Sequence, residues 1–496
     1  MSLSVFLFML VTVPFLLALS QTGPTGYLLD CGADQSSGGG VTVNGLRYVT
    51  DEGFTSAGNI TKLKQKDLVS ILSTLRYFPD TSARKFCYSI PVIKGAKYLL
   101  KTTYYYGGFD GGNKPPVFDQ IVDGTQWGVV ETTEDYANGL SSFYEIIVLA
   151  MAKTLSVCLA RNPETMSSPF ISALEVEYLD DSLYNTTNFN KYALSTVARC
   201  SFGENHPIGF PDDKFNRIWQ PFKGLNPVVI SHYKVNPSEF WNVPPAKVFQ
   251  NAITTSRGKR LQIQWPQMSL STADYYVALY FQDNRTPSPY SWRVFDVLVN
   301  GKKFYGSLNV TTRGVTVYSS LWPLSGQTEI ILIPGNEMPV GPVINAGEVL
   351  QILPLGGKTL SKDVVAMMDL ATHLNNPPPD WSGDPCLPKE NSWTGVTCSQ
   401  GKFTRVVALN LTTKGLSGTL PPTIANLTAL NHIWLGGNKL SGTIPEMWSL
   451  KDLRSLHLEN NQFEGPVPKS LGQLPHLREI FLDNNNLDGQ NSVTTQ

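Results

Sequence analysis

The fold is decided by three aligned stretches near the end of the chain, LNHIWLGGNKLSG (430–442), LRSLHLENNQFEG (453–465) and LREIFLDNNNLDG (477–489), with a fourth, VVALNLTTKGLSG (406–418), before them. Their first residues, Val406, Leu430, Leu453 and Leu477, lie 24, 23 and 24 residues apart by subtraction. A unit this short cannot bury its own apolar face, so successive units must stack and share one core. The spacing predicts inward-facing Leu409, Leu411 and Leu416, then Ile433, Leu435 and Leu440, then Leu456, Leu458 and Phe463. Asn438, Asn461 and Asn485 fall at the turn of each coil and are expected to hydrogen-bond neighbouring backbone as a ladder; Lys414 takes that place in the first coil.

The pattern is that of leucine-rich repeats, and GTLP, GTIP and GPVP after the turn glycine resemble the plant-specific subclass. Residues between the buried positions project from the concave face. Asn410, Trp434, His457 and Phe481 form one column, flanked by His432, Ser455 and Glu479 and by Gly436, Glu459 and Asp483. Exposed Trp and Phe are the residue types of interface hot spots, so Trp434, His457, Glu459 and Phe481 are the candidate contacts for a protein or peptide partner.

A stack needs a cap. Ser361 is read as the N-cap of a helix with Val364, Met367, Met368, Ala371 and Leu374 at helical spacing, ended by Pro377-Pro378-Pro379. Cys386 and Cys398 follow in DWSGDPC and WTGVTC and are expected to bond each other, closing a loop worth roughly 3 kcal/mol. Residues 356–404 are thus linker and cap, 405–489 repeats, and 490–496 a polar tail.

Upstream, short runs of Tyr, Phe, Val and Thr separated by Gly, Pro, Asn and Asp read as strands of an all-β region. FDQIVDG at Phe118 recurs as FDVLVNG at Phe295, and ALEV at Ala173 as AGEV at Ala346, offsets of 177 and 173 residues by subtraction. The shared order predicts a duplicated β-domain, with lobes at 21–195 and 196–355 and a boundary near Thr196.

The 496 residues exceed what one core supports; 42% are hydrophobic, 11% aromatic and 16% charged. Lys plus Arg (39) balances Asp plus Glu (40), which argues against nucleic acid or an anionic membrane as partner. An apolar run from Val5 to Leu19 ending in Ala18 and Ser20 reads as a signal peptide over 1–20. Six sequons, at Asn59, Asn185, Asn284, Asn309, Asn410 and Asn426, and six cysteines fit a secreted glycoprotein of the apoplast or cell wall. Association with a membrane through a partner or a longer form stays open. Cys31, Cys87, Cys158 and Cys200 allow three pairings. No metal, cofactor, phosphate-loop or nucleophile-elbow motif occurs, and paired carboxylates such as Asp212-Asp213 read as turn chemistry, so no enzyme is expected.

LDCG (Leu29), RKFCY (Arg84), YYYGGFDG (Tyr104), PDDKFNRIW (Pro211) and FDVLVNGKK (Phe295) resemble the malectin-like region of plant receptor ectodomains, in which a GDPC motif and a few leucine-rich repeats follow. The transmembrane helix and kinase of full receptors do not follow here. The resemblance implies a mainly β fold: two tandem malectin-like β-sandwiches, then a short repeat solenoid with a helical cap. It also implies a carbohydrate ligand, a di-glucose or a cell-wall oligosaccharide. Malectin's ligand-contacting Tyr-Phe pair aligns with Tyr105 and Tyr106, so Tyr104, Tyr105, Tyr106, Phe109, Asp110 and Trp127 are the candidate sugar site. Aromatic faces with a few polar groups suit a neutral sugar. Two motifs depart from the family: LYFQD at Leu279–Asp283 and INAGE at Ile344–Glu348. The alternative is a protein-interaction module, a co-receptor or decoy, whose lobes bind no sugar.

Overall fold

The strand Lys97–Tyr104 is buried at every residue, on the faces of both its odd and its even positions. It lies near the middle of an eleven-stranded sheet in a computed structural model that describes residues 26–34, 40–112, 114–401 and 403–488. The expected signal peptide and the polar tail fall outside these residues. Among the described residues no helix is long and apolar enough to cross a membrane.

From one edge, the long sheet runs Val41–Val43, Leu46–Thr50, Gly26–Asp30, Ala173–Leu179, Lys97–Tyr104, Ser142–Leu149, Tyr192–Phe202, Ala346–Pro354, Leu270–Phe281 and Val315–Gly326, with Gln220–Phe222 paired beside Tyr192–Phe202. Each half adds a three-stranded sheet, Phe170–Ile171, Thr74–Tyr77 and Asn59–Lys62 in the first and Val228–Ile230, Asn251–Thr254 and Val343–Ile344 in the second, and a four-stranded one. Of the four-stranded sheets, one holds Phe86–Pro91, Thr154–Arg161, Phe118–Val122 and Thr125–Val130; the other holds Leu261–Gln264, Glu329–Pro334, Trp292–Val299 and Lys302–Thr311. The two FD motifs occupy the third strand of each, and ALEV and AGEV lie on matching strands of the long sheet, as the offsets anticipated.

Each half has its own core between its part of the long sheet and its four-stranded sheet. Tyr98, Leu100, Phe118, Ile146 and Val176 fill the first; Tyr275, Leu279, Phe295, Val297 and Leu332 fill the second. The opposite face of the long sheet is covered too. Leu99, Ile147, Leu194, Tyr276 and Leu350 pack there beneath Trp219, Phe240 and Phe249 in one cluster spanning both halves. Burial on both faces explains why Lys97–Tyr104 shows no alternation.

The expected lobe boundary near Thr196 falls inside the strand Tyr192–Phe202. This strand pairs with Ser142–Leu149 through Ile146↔Ser195 and Ile147↔Leu194, and with Ala346–Pro354 from Tyr192↔Pro354 to Ser201↔Ala346, with a bulge between Thr196 and Ala198. A repeat offset locates equivalent residues, not the point where the chain crosses between halves. Arg199 clamps this seam: its guanidinium pairs with Glu145 and, at 2.7 Å, with Glu348, which also accepts from Tyr184 and Tyr280, each at 2.7 Å.

The repeats form as their spacing requires. Val406–Asn410, His432–Trp434, Ser455–His457 and Glu479–Phe481 pair in parallel, and Ser417–Thr419, Lys439–Thr443, Gln462–Gly465 and Asn486–Leu487 form a second sheet. All nine predicted inward residues of the first three coils are buried. Asn461 donates to the Leu435 and Leu458 carbonyls (3.0 and 3.1 Å) and accepts from the Leu440 amide (3.0 Å); Asn438 and Asn485 repeat the pattern.

The cap helix spans Ser361–His373, but its N-cap is Leu360, and Ser361 is the first helical residue with no capping side-chain bond. Its buried face is Ala366, Met367 and Leu370, whereas Met368 is exposed. Apolar spacing alone did not separate Met367 from its neighbour. Cys386 and Cys398 form the expected disulfide, and Trp381 stacks on Trp393 at 5.2 Å. Cys87 bonds Cys158 across adjacent strands, while Cys31 and Cys200 are free thiols.

The GDPC segment does not merely precede the repeats; it docks on the first β-core. Gly383, at φ +68°, sits against the Cys87–Cys158 sulfurs, where a Cβ would come within 3.0 and 3.2 Å of them. Asp384 accepts from the amides of Cys386 and Leu387 (2.8 and 2.9 Å), folding the turn. Asp380 binds the Arg84 amide at 3.2 Å, and Arg84 reaches Ser392.

Candidate partner-binding faces

The tyrosines expected to meet sugar are interior residues. Tyr104, Tyr105 and Tyr106 are 0, 6 and 1% exposed, and Trp127 is 5% exposed. Tyr104 is ringed by Phe118, Tyr144 and Phe170 at 5.7–5.9 Å and donates to Gln120 at 2.9 Å. Tyr106 packs on Tyr136 and Phe109, and Trp127 donates to Ser195 at 3.1 Å. This corrects the expectation of an open aromatic face: all three tyrosines and Trp127 pack into the first core, so their rings do not meet solvent.

Phe109 and Asp110 lie at the surface end of the cluster. Tyr106 and Ser167 both donate to the Asp110 carboxylate, which also takes the Gly112 amide at 2.9 Å. Burial acts to raise the Asp110 acid, but these hydrogen bonds outweigh it and hold it below the usual range. The same arrangement, burial first, then the hydrogen bond to Asp110 and then its charge, pushes the Tyr106 phenol up. Asp110 therefore closes a loop.

The repeat face is different. Register places Asn410 opposite Trp434, Trp434 opposite His457 and His457 opposite Phe481, the expected column. Its rings are in contact: Trp434 to His457 at 5.9 Å and His457 to Phe481 at 4.7 Å, edge to face. His432 lies 5.0 Å from Trp434, and both converge on the buried Ser455 hydroxyl, with Trp434 Nε1 and His432 Nδ1 each 2.8 Å from it. Phe481 is 48% exposed, while Trp434 and His457 are half-buried. The outward position of each strand residue follows from alternation against Ile433, Leu456 and Ile480.

A third surface escaped the sequence reading. Trp322, Thr272, Asp274, Asn300, Lys302 and Ser325 line a cleft of about 500 Å³ in the second half. Trp322 follows a bulged pairing and carried no motif that could mark it. Of the six sequons, Asn59, Asn185, Asn309, Asn410 and Asn426 are exposed; Asn284 is half-buried, with its amide engaged by Arg293 and the Ile230 carbonyl.

Residues 29–352 match the model of the malectin-like domain. The chain belongs to the malectin-like family. Residues 360–399 match the leucine-rich-repeat N-terminal domain and 452–474 a leucine-rich repeat. This malectin-like chain is 30% identical over 94% of its length to the probable LRR receptor-like serine/threonine-protein kinase At1g67720 of Arabidopsis thaliana, covering 51% of that protein. It is 32% identical over 78% of its length to the receptor-like protein kinase At3g21340 of the same plant, covering 44% of it. The chain thus spans about half the length of the curated relatives it matches. Among solved structures, the ANX2 ectodomain from Arabidopsis thaliana has a TM-score of 0.55 at 15% identity, covering 66% of this chain and 96% of that one. A complex of the plant peptide RALF23 with FER and LLG2 gives 0.54 at 18% identity, covering 67% and 96%. These likenesses show the shared malectin-like ectodomain fold.

Proposed function

We propose that this malectin-like chain is a secreted recognition protein whose repeat array docks a protein or peptide partner on its concave face. The observation that carries this reading is the Trp434–His457–Phe481 column, aligned in register, in ring contact and open to solvent. That a solved relative in fold holds a peptide supports a partner of this class. The β-halves act as the platform to which the cap fixes the array. Secretion through residues 1–20 and glycans on the five exposed sequons complete the proposal.

The test is a binding screen of the purified chain against extracellular domains and peptides. Trp434→Ala and Phe481→Ala should abolish the interactions found and leave the melting temperature within a few degrees. Unchanged binding by both variants would remove the concave face from consideration.

A carbohydrate reading is favoured by one observation, the Trp322 cleft, which offers an indole beside hydroxyl, amide and charged groups. Calorimetric titration with glucose and cell-wall oligosaccharides decides it. Heat that vanishes in Trp322→Ala supports the cleft, and no heat at millimolar ligand removes it.

A further inference from the structure

The concave face has acceptors to spare and few donors. Glu459 lies two residues beyond His457, just past the strand Ser455–His457, and continues the row holding Gly436 and Asp483; Glu479 opens the next strand. Glu459 Oε2 is enclosed without a hydrogen-bond partner, and so is His457 Nε2. His457 Nε2 is 3.6 Å from Glu479 Oε2, beyond hydrogen-bonding distance. The other Glu459 oxygen rests over Gly436, where any Cβ would collide with it. The donors nearest the column are already engaged, since Trp434 Nε1 and His432 both meet Ser455. Arg454 and Arg478 precede Ser455 and Glu479, so they lie across the aromatic column from Glu459 and Asp483.

A carboxylate oxygen enclosed without a donor is costly, the more so because the group is charged. Here the cost is borne on the surface proposed to receive a partner, beside a half-exposed indole. A guanidinium brings a compensating positive charge and can bond the carboxylate through its other oxygen, which is not enclosed. Its planar fork can serve both Glu459 and Asp483, and its flat face can stack on Trp434.

We propose that Glu459, with Asp483 and Trp434, forms a subsite for an arginine or lysine side chain of the docked segment. Partners of this chain then carry a basic residue next to the aromatic or apolar residue that meets Phe481. The inference rests on the concave-face reading and narrows it to one partner chemistry.

The experiment is selection of a phage-displayed library of random nine-residue peptides on the full secreted chain, with recovered peptides measured one by one. Binders that lose affinity in Trp434→Ala define the face. They should be enriched in Arg or Lys, weaken at least tenfold in Glu459→Gln, and be replaced by acidic peptides when the library is selected on Glu459→Lys. Matching melting temperatures exclude unfolding as the cause. Trp434-dependent peptides with no basic bias, or with affinity unchanged in Glu459→Gln, overturn the subsite and leave the face standing. If no recovered peptide depends on Trp434, both fail.

Discussion

Lys85 Nζ donates to the backbone carbonyls of Asp384 (2.6 Å) and Leu387 (2.8 Å), bonding a strand of the first β-core to a turn almost three hundred residues later. The ammonium is 1% exposed, and burial pushes its acidity to about 8, opposed by the charges of Asp384 and Asp380. It binds the GDPC turn by charge-assisted hydrogen bonds rather than by an ion pair at contact.

Replacing it tests whether the array and the platform move as one. Lys85→Met fills the same space but leaves two enclosed carbonyls without donors, a loss of about 1–3 kcal/mol. Differential scanning calorimetry should show the repeats melting separately and earlier. Protease cutting between residues 355 and 360 should accelerate.

Asn461 offers a second test, independent of docking. Its side chain makes three buried bonds, two of them, to Leu435 and Leu440, reaching the preceding coil. Asn461→Ala should cost about 2–4 kcal/mol, because the Leu440 amide and two carbonyls lose their partners together. Urea denaturation of the full chain reads this as a lower midpoint for the repeat transition. Asn431→Ala, whose amide reaches only the Ala429 carbonyl at 3.4 Å, serves as the mild control.

Asp30 sets a pH dependence. Burial raises its acid to about 6; Thr74, donating at 2.8 Å, pulls back, and the Asp51 charge adds to the rise. Its folded value thus lies above the unfolded one near 3.8. Stability from this group is complete below about pH 4 and is lost as pH rises through 6. Asp30→Asn keeps the Thr74 bond and removes the ionisation. It should match the parent near pH 4 and exceed it by up to about 3 kcal/mol at pH 7, measured by urea titration at both values.

The Cys87–Cys158 disulfide joins residues 71 apart. Cys87→Ser with Cys158→Ser should cost about 4 kcal/mol in the chain-entropy model. Because Gly383 rests on these sulfurs, the double variant should also loosen the cap, visible as faster exchange of the amides around Gly383.

The repeats were legible because one coil constrains the next: a fixed period places Leu456 inward and His457 outward with no other information. The partner column inherits that certainty. The Tyr104–Tyr106 run was not legible, since its burial depends on residues brought over it from elsewhere in the chain to form the first core, such as Phe118, Tyr136 and Phe170. The Cys87–Cys158 pairing likewise rests on long-range strand register. Docking of GDPC on Lys85 has no local signature, because backbone carbonyls are its acceptors.

The strand Tyr192–Phe202 has a mechanical consequence. On one side it is zipped to Ala346–Pro354 along nearly its whole length; on the other it meets Ser142–Leu149 only around Ile146 and Ile147. A load pulling the two halves apart therefore concentrates on that short seam, with Arg199 bridging Glu145 and Glu348 as its rivet. Under tension the strand would stay with the second half and part from the first at that seam, shearing the apolar cluster the two halves share.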